Sequence, residues 1–166
     1  MAKQDFRNNG YEECDASNSG QCTGIFKKNG IIYRLGICER YHVFAKLVLD
    51  NILPKEQVVD IYTHELPEGI IGGANSTGYE YTLTTMQILD ELSTDEQFKY
   101  EAWIKEVMEM IYNGTPIDEL KDEFNLLESI VILNKYAKEN NFSLDFMQAK
   151  NIMKNGSKYV HIDPFG

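Results

Sequence analysis

Two apolar, β-branched runs flanking Asn29-Gly30 open the strongly patterned part of the chain: Ile25-Phe26-Lys27 on one side, Ile31-Ile32-Tyr33-Arg34-Leu35 on the other. Asn-Gly between such runs predicts a hairpin, because both central turn positions favour positive φ. Over residues 40–52, Val43, Phe44, Leu47, Val48 and Ile52 recur at helical spacing, and Pro54 discourages continuation. Residues 58–62 read as a strand. The run 64–69 reads as a turn-rich connector with His64 at the surface, and 72–75 as a loop. Residues 79–86 alternate aromatic, β-branched and polar side chains, which predicts another strand.

Near residue 87 the pattern changes from strand-like to helical. Ser93 and Glu96 have capping-box spacing ahead of a helix over about 94–112, which carries Phe98, Trp103, Ile104, Val107, Met108 and Ile111. Asn113-Gly114 ends it. Thr115-Pro116 then offers an N-cap and first-turn proline for a second helix over about 116–139, with Leu120, Phe124, Leu127, Val131 and Asn134 on one stripe. Two short runs, 151–153 and 159–162, flank Asn155-Gly156 and predict a terminal hairpin. Residues 1–18 are polar and read as a loose lead-in. The expected fold is α+β: a strand-rich N-lobe over 19–86, then over 87–166 a short helical C-lobe ending in a β-hairpin.

The 166 residues suffice for one core or two small lobes, and 43% hydrophobic with 25% charged residues is ordinary for a globular chain. No apolar run approaches the roughly 18 residues of a membrane span. The start, MAKQDFRNNG, lacks the apolar stretch of a signal peptide, so a cytoplasmic location is expected. Cys14, Cys22 and Cys38 match no zinc spacing and read as free thiols. Charge is uneven: 90–139 holds 13 acidic and 5 basic residues, a net −8 within the chain's −10. Direct nucleic-acid binding is thereby disfavoured, since phosphate contacts need Lys and Arg. The acidic stretch is either a solvated helical face or a surface for a basic protein partner.

The candidate chemistry lies at the open end of the terminal hairpin. Asn151 and Asp163 should meet there, with Asp145 in the loop leading in. Two carboxylates and an amide oxygen are hard ligands of the kind that hold Mg²⁺ against a phosphate. The same residues also fit an ordinary surface hairpin with polar ends. Ser19, Gly20 and Gly24 precede or open the first hairpin, where backbone N–H groups of a glycine loop can cradle phosphates, although a plain turn explains two glycines equally well.

Taken in order, these features resemble the protein-kinase-like fold cut short, and most nearly small phage-encoded kinase-like proteins that end soon after an Ile-x-Asp-Pro sequence. Ser19, Gly20 and Gly24 lie where that family has its glycine-rich loop, and Arg34 where its third strand carries a phosphate-pairing lysine. Residues 81–89, with Met86, resemble the strand and hinge that receive adenine. Asp145 and Asn151 resemble the catalytic-loop pair, and Asp163-Pro164-Phe165-Gly166 the metal-binding DFG segment. The resemblance implies Mg²⁺ on Asn151 and Asp163, ATP phosphates on Arg34 and the glycine loop, and a hydroxyl-activating role for Asp145.

Departures from the family pattern are specific. Arg34 replaces lysine, and the two are not equivalent at a phosphate. The helix over 40–52 has no acid before Asp50, no His-Arg precedes Asp145, and Asp145 and Asn151 are six apart where the pattern has five. With the sequence ending at Gly166, neither an activation segment nor a substrate-binding helical subdomain is expected. Three functions follow as expectations: a degenerate, pseudokinase-type protein that binds a host or partner protein with a basic surface; a minimal Mg·ATP-dependent phosphotransferase; or an acidic inhibitor mimicking nucleic-acid charge. A phage origin would place it in the host cytoplasm.

Overall fold

A computed structural model describes residues 2–14, 24–65 and 82–166. The fold is α+β, with four α-helices and two antiparallel sheets among the described residues, and it divides into two compact units. Unit 1 comprises residues 1–50 and 60–88; unit 2 comprises 51–59 and 89–166.

Unit 1 is built on a five-stranded sheet in the order β1-β2-β3-β5-β4: β1 (Glu12–Glu13), β2 (Gly24–Lys28), β3 (Ile31–Gly36), β4 (Ile61–Glu65) and β5 (Thr82–Gln87). The β2–β3 turn is the Asn29-Gly30 pair, at φ 51° and 77°, as a two-residue turn with both positions left-handed requires. Helix α2 (Glu39–Leu49) follows β3 and buries Tyr41, Phe44, Ala45 and Leu47. Ile52, expected on its apolar stripe, lies beyond the helix and is exposed.

Over residues 2–14 the structure corrects the loose lead-in expected at 1–18; residues 15–18 lie outside the described residues. Residues Ala2–Asn8 form helix α1, and β1 pairs with β2. Phe6 is buried against Phe26 and Leu35, its ring stacked on Phe26 at 4.7 Å, with Tyr11 closing the cluster edge-on. One aromatic in a polar run has no periodicity, but burying it still supplies roughly 1.5–3 kcal/mol to fix the segment.

The expected strand at 58–62 is split. Val58 bridges His161 and Val59 donates to the His161 carbonyl at 3.0 Å, both within unit 2, while β4 begins only at Ile61. Of the strand expected at 79–86, residues 82–86 lie in β5; 79–81 and the loop at 72–75 lie outside the described residues.

Unit 2 opens with β6 (Asp90–Glu91) and α3 (Thr94–Tyr112), whose capping box between Ser93 and Glu96 is formed in both directions. Helix α3 buries Tyr100, Trp103, Ile104, Val107 and Met108, whereas Phe98 is 69% exposed. Asn113 and Gly114 (φ 79°) end it.

The second long helix starts later than the pattern suggested. Pro116 precedes a single 3₁₀ turn, Ile117–Glu119, and α4 spans Leu127–Asn140. The Asp122 carboxylate fixes that start: Oδ1 accepts from Leu126 N at 2.9 Å and Oδ2 from Leu127 N at 3.1 Å. These bonds satisfy N–H groups at the new helix end. Asn125, at φ 54°, lets the chain turn in. Leu120 and Phe124 are still buried, but from the connecting segment rather than the helix, and Val131 is only partly buried.

The terminal hairpin is β7 (Ile152–Asn155) and β8 (Lys158–His161), joined to β6 in the order β6-β7-β8. Asn155 pairs with Lys158, so the two-residue turn is Gly156-Ser157 rather than Asn155-Gly156. Only Gly156 has positive φ (61°), the pattern of a glycine-first hairpin turn. On α3, Glu96 ties the hairpin down: it accepts from Lys154 Nζ at 2.9 Å and from the Tyr159 hydroxyl at 3.1 Å. Hydrogen bonds from Lys154 first, then from Ser93, with Tyr159 adding least, hold its carboxyl down at about 2.

Phe124 sits among Tyr159, Trp103 and Tyr100, at ring distances of 4.8, 5.0 and 5.3 Å. Phe124→Ala should therefore cost about 3–5 kcal/mol in urea unfolding, and Phe98→Ala no more than about 0.5 kcal/mol. Similar costs at both positions would contradict the assignment of the buried cluster.

Candidate functional site

In unit 2, Asn151 is the last residue of a 3₁₀ turn (Ala149–Asn151) leading into β7 and is buried. Its Nδ2 donates to both the backbone carbonyl and the Oδ2 of Asp145, each at 2.9 Å. Two acceptors on one side fix the amide orientation, because the flipped form would face oxygen to oxygen. The other carboxylate oxygen of Asp145 accepts from Gln148 Nε2 at 2.5 Å. The six-residue spacing is absorbed by this turn, in which Gln148 N bonds to the Asp145 carbonyl at 3.2 Å and Asn151 N to the Gln148 carbonyl at 3.1 Å.

The third residue of the set arrives by strand pairing. Ile162 N donates to the Asn151 carbonyl at 3.1 Å, and Asp145 N donates to the Pro164 carbonyl at 2.7 Å. Asp163, half-buried, is therefore held between two residues bonded to Asn151 and Asp145. Leu144 bridges Phe165, and Ser143 bonds at 2.5 Å from its hydroxyl to the Gly166 carbonyl. Sequence reasoning grouped Asp145, Asn151 and Asp163 at one end of the hairpin, and the structure brings their backbones together there.

No cluster of three or more His, Cys, Asp or Glu side chains that could hold a metal occurs among the described residues. Asn151 and Asp163 offer one amide and one carboxylate. That set is too thin for a protein-only site, but it suits Mg²⁺, which takes one or two carboxylates and completes its shell with substrate phosphates and water.

Ser19 and Gly20 lie outside the described residues. Gly24, expected in the glycine loop, is the first residue of β2, paired with Leu35. Arg34 is buried on β3, its guanidinium carbon 3.5 Å from the centre of the Tyr41 ring on α2. Met86 is buried on β5, and the Tyr41 hydroxyl donates to its sulfur at 3.9 Å. One aromatic thus collects both predicted residues. Where the family pattern would have α2 supply a carboxylate to the third strand, here it presents a ring face.

His64 departs from its expected surface role. It lies on β4, half-buried, its Nε2 2.8 Å from His42 Nδ1 on α2 and its Nδ1 2.7 Å from Thr84 Oγ1 on β5. The spacing of His42 and His64 gives no motif, so only the packing of α2 on β4 reveals the pair. Burial, then the neighbouring His42, Arg34 and Lys46, push His64 down from 6.5 to about 4.

A scan against protein-family models finds no match to the chain, and a search of curated proteins finds none. Among the described residues no helix is long and apolar enough to cross a membrane. Cys14 and Cys38 are free thiols; Cys22 lies outside the described residues.

Between pH 6.5 and about 4 the unfolded chain takes up a proton on His64 that the folded chain resists. The stability this group supplies is complete above 6.5 and is lost as the pH falls towards 4. Buried His161, pushed down to about 3, acts with the same sign. His64→Gln should therefore flatten the fall of melting temperature over that window without abolishing it. Superimposable profiles for the two proteins would contradict the buried pair.

Proposed function

We propose that the chain is a kinase-like protein of the degenerate, pseudokinase type that acts by binding a partner protein with a basic surface. The observation that carries this reading is the state of Asp145. Both its carboxylate oxygens accept amide hydrogens, from Gln148 and Asn151, which makes it a structural anchor for the turn. A general base must instead direct a lone pair at the substrate hydroxyl. The stacking of Arg34 on Tyr41 supports the same reading, since a guanidinium spread on a ring face is a poor substitute for a lysine reaching to phosphate.

The surface for a partner is the outer face of α3 and the turn that follows, where Glu106, Glu109 and Asp118 are exposed. Glu101 and Asp122 belong to the fold instead: Glu101 accepts from Ala149 N at 3.1 Å and Asp122 caps α4. Nucleotide is retained in this reading as a ligand. Within unit 2, Asn151 and Asp163 would hold Mg²⁺. The metal would neutralise phosphate charge there.

The second reading, an active Mg·ATP-dependent phosphotransferase, is favoured by one observation: the carboxylate of Asp145 is only half-buried and keeps lone pairs beyond the two it uses.

Mg·ATP should raise the melting temperature by mass action, Mg²⁺ alone should not, and Asp163→Ala should abolish the rise while the free protein stays folded. Transfer of labelled phosphate to itself or to a generic substrate should be undetectable. A transfer that falls about 10²–10⁴-fold in Asp145→Asn would establish the enzyme instead. Reversing charge at Glu106, Glu109 and Asp118 should slow association with a basic partner more at low salt than at high salt. An unchanged rate would mean that the acidic face is merely solvated.

A further inference from the structure

Helix α3 carries two stripes, and only one of them packs into the core. The other, Phe98, Ala102, Lys105, Glu109 and Tyr112, repeats at alternating spacings of four and three residues and is exposed along its whole length. Such spacing keeps all five on one side of a helix, as in the seam of a helix pair. Phe98 is 69% exposed and Tyr112 63%. Lys138 lies over one face of the Tyr112 ring, at 5.2 Å, and still leaves the ring mostly open. Lys105 and Glu109 stand one turn apart, yet neither forms an ion pair among the described residues. Lysine before glutamate is the weaker order for such a pair within one helix.

The order of residues along the stripe selects its occupant. Lys105 and Glu109 lie two residues before and after Val107, on the side of the helix opposite to it. A second α3 laid antiparallel on the stripe, with a two-fold axis at the level of Val107, therefore sets Lys105 over Glu109 of the second copy, and Glu109 over its Lys105. Ala102 and Tyr112 lie five residues before and after the same level, so each tyrosine ring comes down on the one small side chain of the stripe. A two-fold contact makes every such match twice. A uniformly basic partner would instead meet a like charge at Lys105, in the middle of the stripe. A second copy meets it with a carboxylate.

We propose that α3 is a self-association surface, through which two copies of the chain pair antiparallel as a two-fold dimer. This goes beyond the partner-binding reading and does not depend on it, since Glu106 and Asp118 are not part of the stripe.

The test is sedimentation equilibrium of the full chain alone in about 0.15 M salt, where the charge of −10 on each copy is screened beyond about 8 Å. The mass should rise from that of one chain towards that of two over roughly 10–500 µM, a range suited to a contact at the small end of interfaces. Lys105→Glu sets glutamate against glutamate twice and should weaken the dimer about tenfold or more. Adding Glu109→Lys restores opposite charges in reversed order and should recover the affinity to within about threefold. Ala102→Glu, which fills the small position, should leave a monomer. All three positions are exposed, so the variants stay folded. A chain that remains monomeric throughout, a dimer indifferent to Lys105→Glu, or a double variant no tighter than Lys105→Glu alone would overturn the proposal. None of these outcomes touches the basic-partner reading, which is measured by its own association rates.

Discussion

The geometry at the end of the hairpin depends on one side chain, the buried amide of Asn151. Its Nδ2 holds the Asp145 backbone and carboxylate, its N–H closes the 3₁₀ turn, and its carbonyl receives Ile162. A single residue therefore joins the turn, the start of β7 and the chain leaving β8. Buried amides are costly unless satisfied, and one that satisfies several partners at once fixes a unique arrangement. This is why Asp145 and Asp163 occupy defined positions although neither is inside a regular element.

In unit 1, Tyr41 plays a comparable part. Its ring carries Arg34, its hydroxyl meets Met86, and the His64 ring lies tilted to it at 6.2 Å between centroids. The helix that could have supplied a carboxylate to the third strand supplies an aromatic face and, through His42, an imidazole. Both choices tie α2 to β3, β4 and β5 by contacts of defined direction.

Much of this was legible in the sequence where the signal is local. Asn29-Gly30 marked its turn because both residues must take positive φ, and Ser93 with Glu96 marked a helix start because each satisfies the other's backbone. The same logic missed by one residue at Asn155-Gly156, where the pairing of Asn155 with Lys158 moves the asparagine into the strand. Non-local causes were invisible. Asp122 caps a helix from four and five residues upstream, Phe6 is recruited by Phe26 and Leu35, and His64 meets His42 only because α2 packs on β4. The grouping of Asp145, Asn151 and Asp163 followed from hairpin topology. That the Asp145 carboxylate is already bonded to two amides could not, since it depends on the turn that the intervening residues adopt.

The central claim, that Asp145 serves as an anchor for Asn151, is tested most directly by a double-mutant cycle in urea unfolding with Asp145→Ala, Asn151→Ala and the double variant. A carboxylate bonded to the Asn151 amide predicts a coupling energy of about 0.5–3 kcal/mol. Additive costs for the two substitutions would show that Asp145 is not held by Asn151, and would return it to the role of an uncommitted base.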